Sequence, residues 1–211
     1  VACADPAGKE GLAHVTERAV LASGGGIDGL AAWTSSDVTV FESVVAAALA
    51  PSRLEALAAA LARASFQPGE VERARADVLG ELRRAAASSS ATASAALFGA
   101  AFFGQAYANP VLGVEASVRA LASADVAAHH ARAYAGGDVT VVAVGDFDAS
   151  SLRARVTAAF AGLPKGAATC ASPAPALDGP RVAVASVDDA AGERLAVGFR
   201  FATDDVERLA A

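Results

Sequence analysis

The 211-residue sequence predicts an α+β fold, with helices packed on one face of a mainly antiparallel sheet. Two kinds of segment carry that prediction. Ala/Leu-rich runs with apolar residues three and four apart read as helices, and short Val/Phe/Thr runs bounded by Gly, Pro or Ser read as strands. Composition sets the outer bounds. With 54% hydrophobic and 19% charged residues and a net charge of −6, the chain reads as a soluble globular protein of one large or two small domains. Alanine supplies much of the hydrophobic fraction, and no apolar run is long enough to span a bilayer; the longest weakly polar stretch is Ser94 to Phe103. Net acidity, with arginines such as Arg53, Arg63, Arg73, Arg75, Arg83 and Arg84 scattered on helical faces, argues against a nucleic-acid partner.

Val15 to Leu21 reads as a helix that Gly24-Gly25-Gly26 ends. Leu30 to Val45 is strand-like, with Trp33, Val38, Val40, Phe41, Val44 and Val45 set among Thr and Ser. Ser52-Arg53-Leu54-Glu55 has the form of a capping box and opens a helix through Leu54, Leu57 and Leu61 that stops before Phe66. Pro68 suits the first turn of the next helix, which runs through Val71, Val78, Leu79 and Leu82 and carries Glu81. Ser88 to Ala106 is small-residue rich and helical, ending near Gly104, and Tyr107 to Gly113 is a loop around Asn109-Pro110. Ser123 is expected to cap a helix bearing His129, His130 and Tyr134. Val139 to Gly145 reads as a buried strand, and Asp148 caps a helix that ends at Leu163-Pro164. Residues 165–180, rich in Gly, Ala, Ser and Pro, form a linker. Strand patterns at Arg181 to Val187 and Leu195 to Phe201 follow, then a helix start at Asp204.

The cysteines, Cys3 and Cys170, are compatible with one disulfide or two free thiols. The sequence has no methionine, even at position 1, and no signal-like segment, which reads as a processed form or a fragment. Gly24 to Gly26 lacks the Lys-Ser/Thr ending of a phosphate loop. His129 and His130 read as structural or exposed residues without metal, Tyr107 as loop packing, and Trp33 as an anchor of the sheet or a wall of a peptide groove.

The chemistry concentrates in Gly11-Leu12-Ala13-His14-Val15-Thr16-Glu17-Arg18. In the order H-x-x-E-H, two histidines four apart project from one helical face onto a zinc ion, and the glutamate takes a proton from metal-bound water. Here His14 and Glu17 keep their places, and Arg18 stands where the second histidine belongs. A guanidinium has no lone pair for a metal and stays charged at any working pH. The chain therefore carries the frame of a hydrolytic metal site with one ligand replaced. A plain surface helix with a Glu17–Arg18 charge pair is the bland reading of the octapeptide alone.

Further motifs follow in order. Thr34-Ser35-Ser36-Asp37-Val38-Thr39-Val40-Phe41, Val78-Leu79-Gly80-Glu81-Leu82, Tyr107-Ala108-Asn109-Pro110-Val111-Leu112-Gly113 and Val144-Gly145-Asp146-Phe147-Asp148 join Gly11-Leu12-Ala13-His14. Together they resemble the pitrilysin/insulinase family of inverted-motif zinc peptidases, which includes the mitochondrial processing peptidase. The resemblance covers nearly the whole chain. It implies a first peptidase-like domain over residues 1–164 that lacks its N-terminal strands, a linker at 165–180, and the beginning of a second, homologous domain at 181–211.

The resemblance also implies zinc as cofactor, held by His14, the residue at 18 and Glu81, with Glu17 as general base. Of these ligands the chain offers only His14 and Glu81. It departs from the family elsewhere too. Arg18 and Glu81 are 63 residues apart (81 − 18), shorter than the family usual by about a helix and its loop, with the gap between Leu21 and Gly29. Ala74 replaces a carboxylate before the third ligand, and Ala31-Ala32, followed by Trp33, replaces the Asn-Ala pair of the substrate-binding edge strand. Together these losses favour a subunit released from catalysis. The implied partners are a homologous peptidase subunit or second domain, and a peptide. An active zinc endopeptidase with a degenerate metal site and an unrelated α+β binding domain are the competing readings.

Overall fold

Helix α1 (Leu12–Ser23) is the element around which the others are arranged, and its sequence explains why. Leu12, Ala13, Val15, Ala19 and Val20 give it apolar residues on more than one face, so it is buried nearly all round. The computed structural model describes residues 1–23, 29–163, 179–187 and 193–199. Gly24 to Gly26, most of the predicted linker, Cys170 and the helix expected at Asp204 lie outside the described residues.

The chain enters α1 through a tightly specified corner. The backbone N–H groups of Gly11 and Ala13 each donate to the buried Asp5 carboxylate at 2.9 Å, which satisfies donors that a helix start leaves open. Gly11 (φ 92°) lies against Gly113 (φ 75°), and a Cβ on Gly113 would overlap the Glu10 carbonyl. The Ser117 hydroxyl donates to that same carbonyl at 2.7 Å. Cys3, just upstream, is disulfide-bonded.

After α1 come two antiparallel strands, β1 (Leu30–Thr34) and β2 (Thr39–Ser43), in register from Leu30↔Ser43 to Thr34↔Thr39. Their turn is held by the Ser35 hydroxyl oxygen, which accepts from the Asp37 and Val38 N–H groups. Five further helices follow: α2 (Ala50–Arg63), α3 (Pro68–Ala86), α4 (Ser89–Ala101), α5 (Glu115–Ala120) and α6 (Ser123–Ala133); α2, α3 and α6 pack on α1, and α4 and α5 on α3. Helix α7 (Ala149–Phe160) lies against α2. The main core joins Leu12, Val15 and Ala19 of α1 to Val71, Ala74 and Val78 of α3, and to Val118, Leu121 and Val126 around α5 and α6. A second cluster gathers Val20, Leu61 and Tyr134, with Phe41, Leu57, Phe66 and Phe160 packed on it. The result is a helix-rich α+β chain with one small antiparallel sheet among the described residues.

Some local expectations hold: Asp148 caps α7 through its side-chain oxygen, and Pro68 lies in the first turn of α3. Ser88 also caps α4, and Glu70 accepts from the Gln67 N–H at the start of α3, neither of which the sequence had indicated. Others are corrected. Helix α2 begins at Ala50, ahead of the expected capping box, because Pro51 already fits its first turn; the Ser52 hydroxyl donates back to the Leu49 carbonyl instead. Ser123 lies inside α6, whose N-cap is Ala122, with the Ala122 N–H bound by Asp125. Helix α5 had no counterpart in the sequence reading.

The largest correction concerns strands. Residues 139–145, 181–187 and 193–199 form no sheet among the described residues, and Val142 and Val144 are 80% and 95% exposed. An apolar β-type run stays buried only when a neighbouring strand takes its N–H and C=O groups. No described residue supplies that neighbour, so the expected mainly antiparallel sheet is here a two-stranded hairpin. Trp33, at 45% exposure, does not anchor that hairpin by burial.

His129 is buried on α6, its Nδ1 3.9 Å from Asp5 Oδ1. Burial pushes its pKa down to about 3 from an ordinary 6.5, and the charges of Arg132 and His130 add to that. Burial likewise raises Asp5 to about 6 from 3.8, against the pull of its backbone N–H partners. The two act oppositely on stability. Between about pH 3 and 6.5 only the unfolded chain protonates His129, so His129 makes stability rise with pH. Between about 3.8 and 6 only the folded chain protonates Asp5, so Asp5 makes stability fall with pH.

In urea unfolding of the unmodified chain the two slopes should largely offset one another between about pH 4 and 6, leaving a smaller rise with pH from His130, whose pKa burial also lowers. Asp5→Asn, which keeps a carbonyl acceptor, should acquire a slope of roughly 1.4 kcal/mol per pH unit, stability rising with pH. A variant no steeper than the unmodified chain contradicts the neutral, buried His129. Gly113→Ala should lose more than about 3 kcal/mol, whereas Gly8→Ala, at φ 78° but in open space, should lose only about 1. Equal losses at the two positions would show that the Glu10–Gly113 approach does not matter.

Candidate functional site

Helical spacing puts His14, Glu17 and Arg18 on the side of α1 that meets α3, where Glu81 comes within reach. Glu17 is completely buried and His14 nearly so, while Arg18 and Glu81 are partly exposed at 28% and 22%. The His14 ring sits between two carboxylates. Its Nδ1 is 3.1 Å from Glu17 Oε2 and its Nε2 is 2.7 Å from Glu81 Oε2. Burial alone would lower the pKa of His14, but the hydrogen bonds and charges of Glu17 and Glu81 together raise it. A ring with a carboxylate at each nitrogen satisfies both when both nitrogens carry protons.

Arg18 completes the arrangement. Its Nη2 is 2.8 Å from Glu81 Oε1, the oxygen that His14 leaves free, and its Nε is 3.7 Å from Glu17 Oε1. One guanidinium thus faces both carboxylates, as a close ion pair with Glu81 and a longer one with Glu17. Two negative groups sharing a partly buried space are unfavourable without a counter-charge, and Arg18 supplies one.

Of the residues singled out from sequence, His14, Glu17, Arg18 and Glu81 therefore come together. Ala31, Ala32 and Trp33 lie on β1, opposite Glu42, Phe41 and Val40 of β2. Ala31 and Trp33 are exposed. Strand β1 packs against α1, and its side away from β2 has no paired strand among the described residues.

Two site residues escaped the sequence reading as individuals. The Thr34 hydroxyl, at the end of β1, donates to Glu17 Oε2 at 2.9 Å and ties the hairpin to the site. Thr34 opens the Thr34–Phe41 motif, so the segment was recognised but not this contact. Tyr134 is the second: burial first, then the Glu17 carboxylate, push its hydroxyl pKa well up. Its ring stacks on His130 at 4.7 Å and meets Phe41 edge-on at 6.1 Å. His130 is held by the Leu61 carbonyl at 2.8 Å, and Tyr107 donates to Asp37 while packing on Phe102. Neither His130 nor Tyr107 belongs to the cluster on α1 and α3.

A catalytic zinc needs three protein donors with lone pairs and an open position for water. His14 and Glu81 could supply two, but the third corner holds a cation already bonded to Glu81. Among the described residues no group of three or more His, Cys, Asp or Glu side chains is disposed to hold a metal ion. The donor set does not fit a catalytic zinc.

Residues 120–211 match the family model described as the peptidase M16 inactive domain. The match supports the resemblance to pitrilysin/insulinase-type peptidases, and it lies outside the His14–Glu81 cluster. No curated protein matches the chain. No helix among the described residues is long and apolar enough to cross a membrane.

Thr34→Val should cost roughly 1–3 kcal/mol, because it removes a donor from the fully buried Glu17 carboxylate and leaves the shape nearly unchanged. Chemical denaturation of the two proteins measures it. A difference within about 0.5 kcal/mol would mean that Glu17 does not depend on this bond.

Proposed function

We propose that this chain is a non-catalytic or catalytically impaired zinc-metallopeptidase-like subunit, acting as a structural or peptide-holding partner of an active homologue. The observation that carries the proposal is the Arg18 guanidinium on Glu81, where hydrolysis would require a third metal ligand. The state of Glu17 supports it. A general base must reach the water it activates, yet Glu17 is fully buried and its Oε2 is shared between His14 and Thr34. The similarity of residues 120–211 to an inactive peptidase domain is consistent with the same reading.

The peptide-holding role rests on β1. An extended peptide can add to a strand edge through backbone hydrogen bonds, and β1 offers an unpaired edge beside α1 with Trp33 exposed on it. The division into a first domain over 1–164, a linker at 165–180 and a second homologous unit from 181 is part of the proposal, as is the absence of bound zinc.

The experiment is a hydrolysis assay on an unstructured peptide substrate, run beside a Glu17→Gln control. The two proteins should be indistinguishable, with and without added zinc. Turnover by the unmodified chain that a chelator abolishes and zinc restores would sink the proposal and favour an active enzyme with a degenerate site.

A further inference from the structure

The mismatch between the donor set and zinc leaves a physical question: what holds α1 to α3 at a point where two carboxylates converge? A bound metal cross-links its ligands because each is attracted to one central cation. Here Glu81 of α3 is gripped from two sides by α1, through His14 Nε2 at 2.7 Å and Arg18 Nη2 at 2.8 Å. Arg18 also reaches towards Glu17 Oε1, an atom buried without a hydrogen-bond partner among the described residues. The guanidinium is tethered to the chain, so its charge does not depend on the concentration of any ion.

We infer that Arg18 is a built-in cationic cross-link, standing in for a metal between α1 and α3 and making this contact independent of zinc. Three features of the site agree with that role. The cation lies on the carboxylate of the facing helix rather than pointing to solvent, and it forms its ion pair with the oxygen that His14 does not use. The contact borders the main core, where Val15 and Ala19 of α1 meet Val71, Ala74 and Val78 of α3. Ala74, one helical repeat before Glu81, is itself packed in that core and adds no further carboxylate needing a counter-charge.

The inference extends the non-catalytic reading, but its test reads melting temperature and zinc content rather than hydrolysis, so either can fail alone. The unmodified chain should melt at the same temperature in chelator and in excess zinc. Arg18→Met, which keeps the apolar stem, and Glu81→Gln should each lower that temperature by about 3–8 °C. Their combination should lose clearly less than the sum, because each removes the other's partner. Arg18→His should regain stability only when zinc is added, with one zinc per chain that chelator removes. Arg18→Lys, the milder change, takes the place of Arg18→Met in the cycle where Arg18→Met does not fold. A chelator-sensitive melting temperature in the unmodified chain overturns the inference. So do additive losses in the double variant, or an Arg18→His protein that ignores zinc.

Discussion

A carboxylate with no exposure to water has to be supplied with donors from inside the protein, and Glu17 imposes that requirement on everything around it. Its partners come from separate parts of the chain: His14 one turn back on α1, Thr34 at the end of β1, and Arg18 beside it. His14 and Arg18 in turn reach α3 through Glu81. The hairpin and α3 are therefore fixed to α1 by directional bonds as well as by apolar packing. Apolar packing alone would tolerate a helix rotated by a few tens of degrees; hydrogen bonds of about 3 Å to a buried carboxylate would not.

Such a network is not a simple source of stability. Bringing charged groups out of water costs several kcal/mol each in general, and the attraction between them recovers that only when the geometry is good. Here one imidazole and one guanidinium face two carboxylates, so the charges can balance within the cluster. Half-buried Arg18 and Glu81 sit at its solvent edge, where the desolvation cost is smaller, and fully buried Glu17 at its inner end depends on its bonds to His14 and Thr34 with no water to replace them. The cluster sets the relative position of α1, α3 and β1 more than it deepens the folding free energy.

What the sequence made legible follows from the range of the forces involved. Helices α1, α3, α4 and α7 were readable because their period, first turns and several caps are written in neighbouring residues. Ser52 and Ser123 misled because a Ser at a plausible cap position can equally lie inside a helix and bond back to a carbonyl, and only the approach of the preceding chain decides. The meeting of Arg18 and Glu81 was legible only through the resemblance, which implies a common centre for His14, residue 18 and Glu81; helix periodicity fixes which face of α1 carries residue 18 but not that α3 packs there. Thr34 as a donor to Glu17 was not, because that contact depends on how the hairpin docks. The runs at 139–145 and 181–187, and the described part of the run at 195–201, show the limit most clearly. Val139-Thr140-Val141-Val142 states what the segment would do beside another strand and carries no information about whether one is there.

The stretch that matches the inactive peptidase domain and the cluster on α1 and α3 are separate in sequence but not in packing. Helix α6 lies inside the matched stretch, yet its Val126 shares the main core with Leu12 and Val15 of α1. His129 of α6 approaches the Asp5 carboxylate that receives the first N–H groups of α1, and Tyr134, just past the end of α6, packs near Glu17. The element that bears His14, Glu17 and Arg18 is thus positioned at its N-terminus and along its buried face by residues of the matched stretch. A change in that stretch has a direct route to the cluster: it would act on the angle at which α1 meets α3, and hence on whether Arg18 still reaches Glu81.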